Sequence, residues 1–330
     1  MTADVICRRC GHRHADTPTF CASCGAFLEW TGHNEALDPE PEPSPSATAS
    51  AVRLQTAGTL ASAAERPDLT ARLASAADRI ARPSVPVAVV GQFKVGKSRL
   101  VNGIVNAEVC PSHPLVGSIV PTTVEYAESP TARVITLAGD PKTIGLDEVE
   151  PWVSETGNRA NRLGVASVRI GLPRRFLRNG LQLIDTPGLG GLDSPGGRLL
   201  ASSVDAAAGV IVVTSAVQEM TQPELEFLER IKASGAEVAV VLTKTDLVVH
   251  WRRILEINEG HLSRAGFAVP VYPVSSTLRT LAAEARDRDL NDESGYPAVL
   301  AWLAEVSKRR ADHEARRADM QLRDATAQLR

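Results

Sequence analysis

Strand-like runs punctuate the middle of the chain: VPVAVVG at 85–91, apolar without a break, then LQLID at 181–185, VVLT at 240–243 and VYPV at 271–274. Runs without polar alternation are what strands covered on both faces look like, so they predict a largely parallel sheet. Around them apolar residues recur at helical spacing. SRLVNGIVN (98–106) follows the first run, and Leu69, Leu73, Ala77 and Ile80, spaced by four, four and three, fall on one helical face. Pro67 breaks the alanine-rich segment 52–82, and Pro83 and Pro86 end it. Residues 281–330 read as a charged helical segment whose Val299, Leu303 and Val306 are expected to pack on the 52–82 helix. DPEPEPSPSATAS (38–50) buries too little apolar surface to fold and reads as a linker.

The chain of 330 residues is 43% hydrophobic, enough for one large domain with smaller pieces. A formal net charge of -3 leaves no global basic field, which argues against a nucleic-acid partner. No run approaches the ~18 apolar residues of a membrane span, and a cysteine pair stands where a signal peptide needs its apolar stretch. A cytoplasmic protein is expected. Lysine is scarce, six against 30 arginines, and three of the six (Lys94, Lys97 and Lys244) fall in the motifs below.

Four of the five cysteines lie in CRRCGH (7–12) and CASCGA (21–26). Each C-x-x-C sets two thiolates on one tight turn, and the following glycine lets backbone amides approach the sulfurs. Two such turns supply four ligands for tetrahedral zinc. Cys7, Cys10, Cys21 and Cys24 are therefore candidate ligands of a short zinc ribbon with Phe20, Leu28 and Trp30 as its apolar cap. Four thiolates leave no open position, so this zinc would be structural. The alternatives are two disulfides or a redox dithiol, which a reducing compartment disfavours, and a shell completed by His12 or His14.

Gly91, then Gln92, Phe93, Lys94 and Val95, then Gly96, Lys97 and Ser98 give G-x-x-x-x-G-K-S between a predicted strand and helix, the setting of a phosphate-binding loop. Its glycines let backbone amides face phosphate, Lys97 reaches the β and γ oxygens, Ser98 offers a magnesium position, and Arg99 follows on the helix. The loop alone leaves ATP and GTP open. TKTD (243–246) chooses guanine: Asp246 can accept both N1–H and the 2-amino group, while Lys244, after Thr243, lies along the base and stiffens the loop. Asp185, within LQLIDTPGLGG (181–191), would hold magnesium through water, and the Gly188 amide can sense the γ-phosphate. Ser275 and Ser276 stand where they can approach the guanine carbonyl. All four elements fall at the carboxyl ends of predicted strands, where open α/β sheets bind ligands.

On these motifs residues 52–330 resemble a bacterial dynamin-like GTPase. The loop begins GQF after a helical segment, VPTTVEY (120–126) offers a switch threonine, guanine reading uses T-K-x-D, and about 60 residues separate Thr123 from Asp185. The resemblance implies an α/β P-loop GTPase domain at 83–280 with a central, mostly parallel sheet. Helical neck segments would flank it at 52–82 and 281–330, behind a zinc ribbon at 1–30 and a disordered linker at 31–51. It implies GTP and GDP as ligands, with magnesium held by Ser98, Asp185 and Thr123, the last preferred to Thr122 because the residues after it begin a strand. It further implies a homodimer across the G domains and action in membrane remodelling or membrane-associated assembly, peripheral to the bilayer. The alternative is a nucleotide-switched adaptor whose zinc ribbon recruits a protein partner. In dynamin the loop position of Lys94 helps hold a monovalent cation, so Lys94 is either a candidate catalytic replacement for that ion or a solvent-facing lysine that adds general attraction for phosphate. Residues 281–330 are too short for the family's helical stalk, which suggests a fragment or a stalkless relative.

Overall fold

The chain opens on an antiparallel hairpin, β1 (Val5–Ile6) and β2 (Arg13–His14). Helices α1 (Pro45–Ala63) and α2 (Pro67–Ala81) then lead into β3 (Val85–Gly91), the first apolar run. The structure, a computed structural model, describes residues 5–7, 11–14, 23, 45–81, 84–112, 118–188, 203–204, 207–234, 236–285 and 287–328. After β3 come α3 (Lys97–Val105), β4 (Thr122–Tyr126), β5 (Thr131–Thr136), β6 (Pro141–Ile144), β7 (Val165–Leu172) and β8 (Leu181–Asp185). Strand and helix then alternate as β9 (Gly209–Ser215), α4 (Gln222–Ser234), β10 (Glu237–Thr243), α5 (Trp251–Arg264) and β11 (Val271–Pro273). Helices α6 (Ser276–Ala285), α7 (Arg288–Glu293) and the long α8 (Tyr296–Gln328) follow.

Among the described residues one nine-stranded sheet runs in the order β11-β10-β9-β3-β8-β4-β7-β5-β6. From β11 to β8 every pairing is parallel, as the apolar runs predict. The antiparallel pairings, β4 with β8 and β5 with both β7 and β6, belong to the stretch between Thr122 and Asp185. That long interval therefore widens a parallel sheet into a mixed one. β3 lacks alternation because both its faces are covered. Val87 and Val89 join a core with Leu100 and Ile104 of α3, while Ala88 and Val90 join another with Phe227, Leu228 and Ile231 of α4. Burying each such valine contributes about 1.5–3 kcal/mol, so the phosphate loop hangs from a firmly anchored strand.

Away from the sheet, Leu54 and Ala61 of α1, Leu69, Leu73 and Ala76 of α2, and Ala325 of α8 form a small separate core. The three helices make a bundle, closed at one end by Ser50 Oγ, which donates to Asp319 Oδ1 at 2.8 Å, and by Arg53 at 3.1 Å from the same carboxylate. Two expectations are corrected here. The linker read over 31–51 gives way to helix at Pro45, because Ser50 and Leu54 are buried, the former against α8; proline is tolerated in a helix's first turn. Among the described residues Val299, Leu303 and Val306 belong to the sheet's core with Val85 and Val87, where a contact with α2 was expected. The far part of α8 joins α1 and α2, among the described residues through Leu322 and Ala325 and, at the bundle's closed end, Asp319.

Of the four paired cysteines, Cys7 lies within the described residues. It is buried directly after β1; its N–H donates to the His12 carbonyl at 2.8 Å, and its carbonyl accepts from Gly11 N–H at 2.7 Å. Gly11 takes φ 71, the left-handed conformation that a tight turn needs there. Cys10, Cys21 and Cys24, with Phe20, Leu28 and Trp30, lie outside the described residues. Among the described residues no group of three or more ligating side chains gathers.

Candidate nucleotide site

Gly91 ends β3 where a side chain is forbidden: a Cβ would lie 2.3 Å from the Val213 carbonyl oxygen of neighbouring β9. The chain turns through the loop and enters α3 at Lys97, with Gly96 at φ 106. Lys97 is buried, and its ammonium donates back to the loop's own carbonyls, Gln92 at 2.8 Å and Gly91 at 3.2 Å. Burial lowers its pKa below the ordinary lysine value, against the opposing pull of Asp185. Next to it, Ser98 Oγ donates to Asp185 Oδ2 at 2.6 Å, and Ser118 Oγ lies 3.4 Å from the same oxygen. Asp185 Oδ1 is buried without a hydrogen-bond partner. Burial raises the Asp185 carboxyl to a pKa of about 6, opposed by Ser98, Lys97 and Ser118. An orphaned carboxylate oxygen beside a serine hydroxyl is what a hard divalent cation with oxygen ligands fits, so the donor set is compatible with magnesium.

The two candidate threonines separate cleanly. β4 runs antiparallel to β8 with Thr122 opposite Asp185 and Thr123 opposite Ile184. Because side chains alternate faces along a strand, Thr122 shares the face of Asp185 and α3, and Thr123 lies on the other. Thr122 is fully buried and its Oγ1 has no partner. The strand beginning beside these threonines suggested Thr123; the register, invisible in the sequence, puts Thr122 on the face of Asp185. Ser118 had no signal in the sequence at all, since the loop before β4 has no fixed spacing to the motif.

β10 ends against the same loop. Thr243 Oγ1 lies 2.5 Å from the Val95 carbonyl and 3.0 Å from that of Thr214, and Lys244, at φ 61, donates from Nζ to the Lys94 carbonyl at 2.7 Å. The contact joins the turn after β10 to the phosphate loop. Asp246 is exposed, and its Oδ1 accepts from Ser275 Oγ at 2.7 Å. Ser276 turns the other way, its Oγ 2.7 Å from the Tyr296 hydroxyl. Lys94 is at φ 64 with its ammonium 5.3 Å from the centre of the Phe93 ring. Gln92 donates to Thr221 Oγ1 at 2.8 Å, tying the loop to the start of α4. At Gly188 a Cβ would come within 3.0 Å of Phe93 Cα, so this glycine lets the segment after β8 press on the loop. Arg99 is exposed on α3. A cleft of about 360 Å³, bordered by Phe93, Lys97, Ser98, Ser118, Gly188 and Lys244, opens over these groups.

Residues 87–245 match the sequence model of the Dynamin family. The chain carries a dynamin-type G domain. Domains of this type are GTPases, and this one places its nucleotide motifs on β3, β8 and β10. Outside the dynamin-type domain the likeness continues. The "Isoniazid-induced protein IniA" of Mycobacterium tuberculosis, in strains CDC 1551 / Oshkosh and H37Rv, is 38% identical over 256 residues, 76% of this chain and 40% of that protein. An "Uncharacterized protein in xynA 3'region" of Caldicellulosiruptor sp. (strain Rt8B.4) is 31% identical over 170 residues, 52% of this chain and 42% of its own. The chain thus spans about two fifths of the length of these curated relatives. Two solved structures of an oligomerised bacterial dynamin pair, described in terms of long-range sensing and tethering of membranes, superpose with TM-scores of 0.59 and 0.61. They cover 86% of this chain and 56% and 47% of theirs at 16% and 17% identity, a likeness of fold.

Proposed function

We propose that this chain binds GTP with magnesium, hydrolyses it to GDP and phosphate, and acts as a dynamin-like protein that pairs across its G domains in membrane-associated assembly or remodelling. One observation carries the reading: Lys97, Ser98 and Asp185 meet in a buried cluster at the strand ends where Ser275 also holds Asp246. Backbone amides of the loop face the phosphates. The Lys97 ammonium would exchange the Gly91 and Gln92 carbonyls for β and γ oxygens. Ser98, Asp185 and, by register, Thr122 in place of Thr123 would hold magnesium, which when bound neutralises charge on the bridging phosphates. Asp246 reads the guanine edge, and the Gly188 amide stands next to the loop where a γ-phosphate ends. Lys94 supplies positive charge at the loop only if its ammonium leaves the Phe93 ring.

Pairing and membrane action are supported by the fold shared with the oligomerised dynamin pair. Among the described residues no helix is long and apolar enough to cross a bilayer, so any membrane contact is peripheral in this reading. The adaptor reading keeps one specific support, the turn at Cys7 with Gly11 behind it. There Cys7, Cys10, Cys21 and Cys24 would hold one structural zinc in a module that recruits a protein. Steady-state turnover of GTP against ATP tests the enzyme. Liposome co-sedimentation with a non-hydrolysable GTP analogue separates the two outputs, because nucleotide-dependent pelleting is expected of the membrane reading alone.

A further inference from the structure

Tyr296 is fully buried at the first position of α8, yet its polar end lies directly beneath the nucleotide site. The hydroxyl stands 2.7 Å from Ser276 Oγ at the start of α6 and 3.5 Å from the Arg99 carbonyl of α3. It also rests on Gly103 in the interior of α3, where a Cβ would come 2.3 Å from it. Glycine inside a helix is less favourable than alanine by about 1 kcal/mol, so a glycine here fits a need for close approach. Arg279 of α6 reinforces the junction: its Nε donates to the Gly103 carbonyl at 3.3 Å, it donates also to Asn291 of α7, and its guanidinium lies 5.6 Å from the Tyr296 ring centre. Burial pushes the Tyr296 hydroxyl up to about 12, so it stays protonated and able to donate.

The residue next to Ser276 faces Asp246. Ser275 Oγ donates to Asp246 Oδ1 at 2.7 Å and accepts from Leu278 N–H at 3.0 Å. A continuous series of contacts therefore runs from the base-reading carboxylate through the first turn of α6 to Tyr296 and into α3, the helix that carries Lys97 and Ser98. Asp246 itself is exposed, and a carboxylate that must meet two donors of guanine at once gains from being held before the base arrives. We propose that Tyr296 is a positioning residue for guanine recognition: its hydroxyl fixes the first turn of α6 against α3 and so sets Asp246 at the distance from the phosphate loop that guanine requires.

This rests on GTP being the ligand, and the experiment separates the two claims. Binding of GTP, of ITP (which lacks the 2-amino group) and of ATP is measured for the full chain and for Tyr296→Phe, Ser276→Ala and the double variant. The expected result is a GTP affinity about fivefold weaker in Tyr296→Phe, the scale of one lost hydrogen bond, with ITP binding changed much less, so that the GTP:ITP ratio contracts. Ser276→Ala should contract the ratio similarly, and the double variant should add little, because both remove one contact. Turnover of Tyr296→Phe at saturating GTP should match wild type. If the ratio is unchanged in both single variants while their melting temperatures fall, Tyr296 is core only and the proposal is overturned. Should Tyr296→Phe fail to fold, Ser276→Ala alone decides. Asp246→Asn, measured with xanthosine triphosphate, reports on the underlying reading: a wild-type protein with no guanine preference overturns both, whereas a xanthine switch with an unchanged GTP:ITP ratio overturns only the role of the tyrosine.

Discussion

Asp185 makes the nucleotide-free protein sensitive to pH in a direction opposite to that of most carboxylates. Burial holds its carboxyl near 6 in the folded chain, against 3.8 for the unfolded residue. The folded state therefore binds this proton more tightly. The stability it supplies is complete below about pH 4, is lost as pH rises through 6, and stays lost above that. The interval from 3.8 to about 6 corresponds to about 3 kcal/mol, a large part of a typical domain's 5–15 kcal/mol. Its cause is local: one carboxylate oxygen has no partner and the other only the hydroxyls of Ser98 and Ser118. The assay is urea unfolding of nucleotide-free protein in chelator at a series of pH values from 4 to 8. The midpoint should fall between about pH 4 and 6 in wild type, level off above that and respond much less in Asp185→Asn, and magnesium with GDP should restore it at pH 7.5. An equal slope in wild type and Asp185→Asn would place the titrating group elsewhere, and a wild-type midpoint that is flat or rises would refute the reasoning outright.

Thr122→Ala should lower magnesium-dependent GTP turnover by ~10²-fold, the scale of one lost transition-state contact, while Thr123→Ala changes it by less than about threefold; the reverse order would return the role to Thr123. Wild-type turnover at saturating GTP should be indifferent to potassium at constant ionic strength if Lys94 supplies the charge, and Lys94→Ser should lower kcat and make the remainder respond to the ion. One zinc per chain is expected by metal analysis and none in Cys7→Ser plus Cys24→Ser, with GTP turnover retained, since that ribbon is read as an independent module. Leu303→Ala should destabilise the G domain by about 2–5 kcal/mol in urea unfolding, because Leu303 is buried in the sheet's core; a change confined to the helical bundle would contradict that placement.

The phosphate loop, Asp185 and the T-K-x-D turn were readable because phosphate and base chemistry demand particular residue types at fixed local spacing. What escaped depends on contacts distant in sequence. Thr122 and Thr123 are equivalent as letters, and only the antiparallel register of β4 on β8 distinguishes them. Tyr296 stands 50 residues beyond Asp246 and reads as an ordinary aromatic of an amphipathic helix. The helix from Pro45 looks like linker because its partner, Asp319, lies 269 positions from Ser50. Val299, Leu303 and Val306 show by their spacing that one face of a helix is covered, and nothing in that spacing says whether a sheet or a helix covers it.

Helix α8 has one end in the sheet's core and the other in the three-helix bundle. Its 33 residues span ~50 Å at 1.5 Å per residue. It is thus a lever whose fulcrum is the well-packed stretch from Tyr296 to Val306, directly under α3 and α6. A tilt of ~5° about that fulcrum displaces the bundle end by ~3 Å, given the ~33 Å of helix beyond Val306. The displacement at the fulcrum itself is a fraction of an ångström. By that geometry a shift too small to see at the strand ends is enlarged at the bundle.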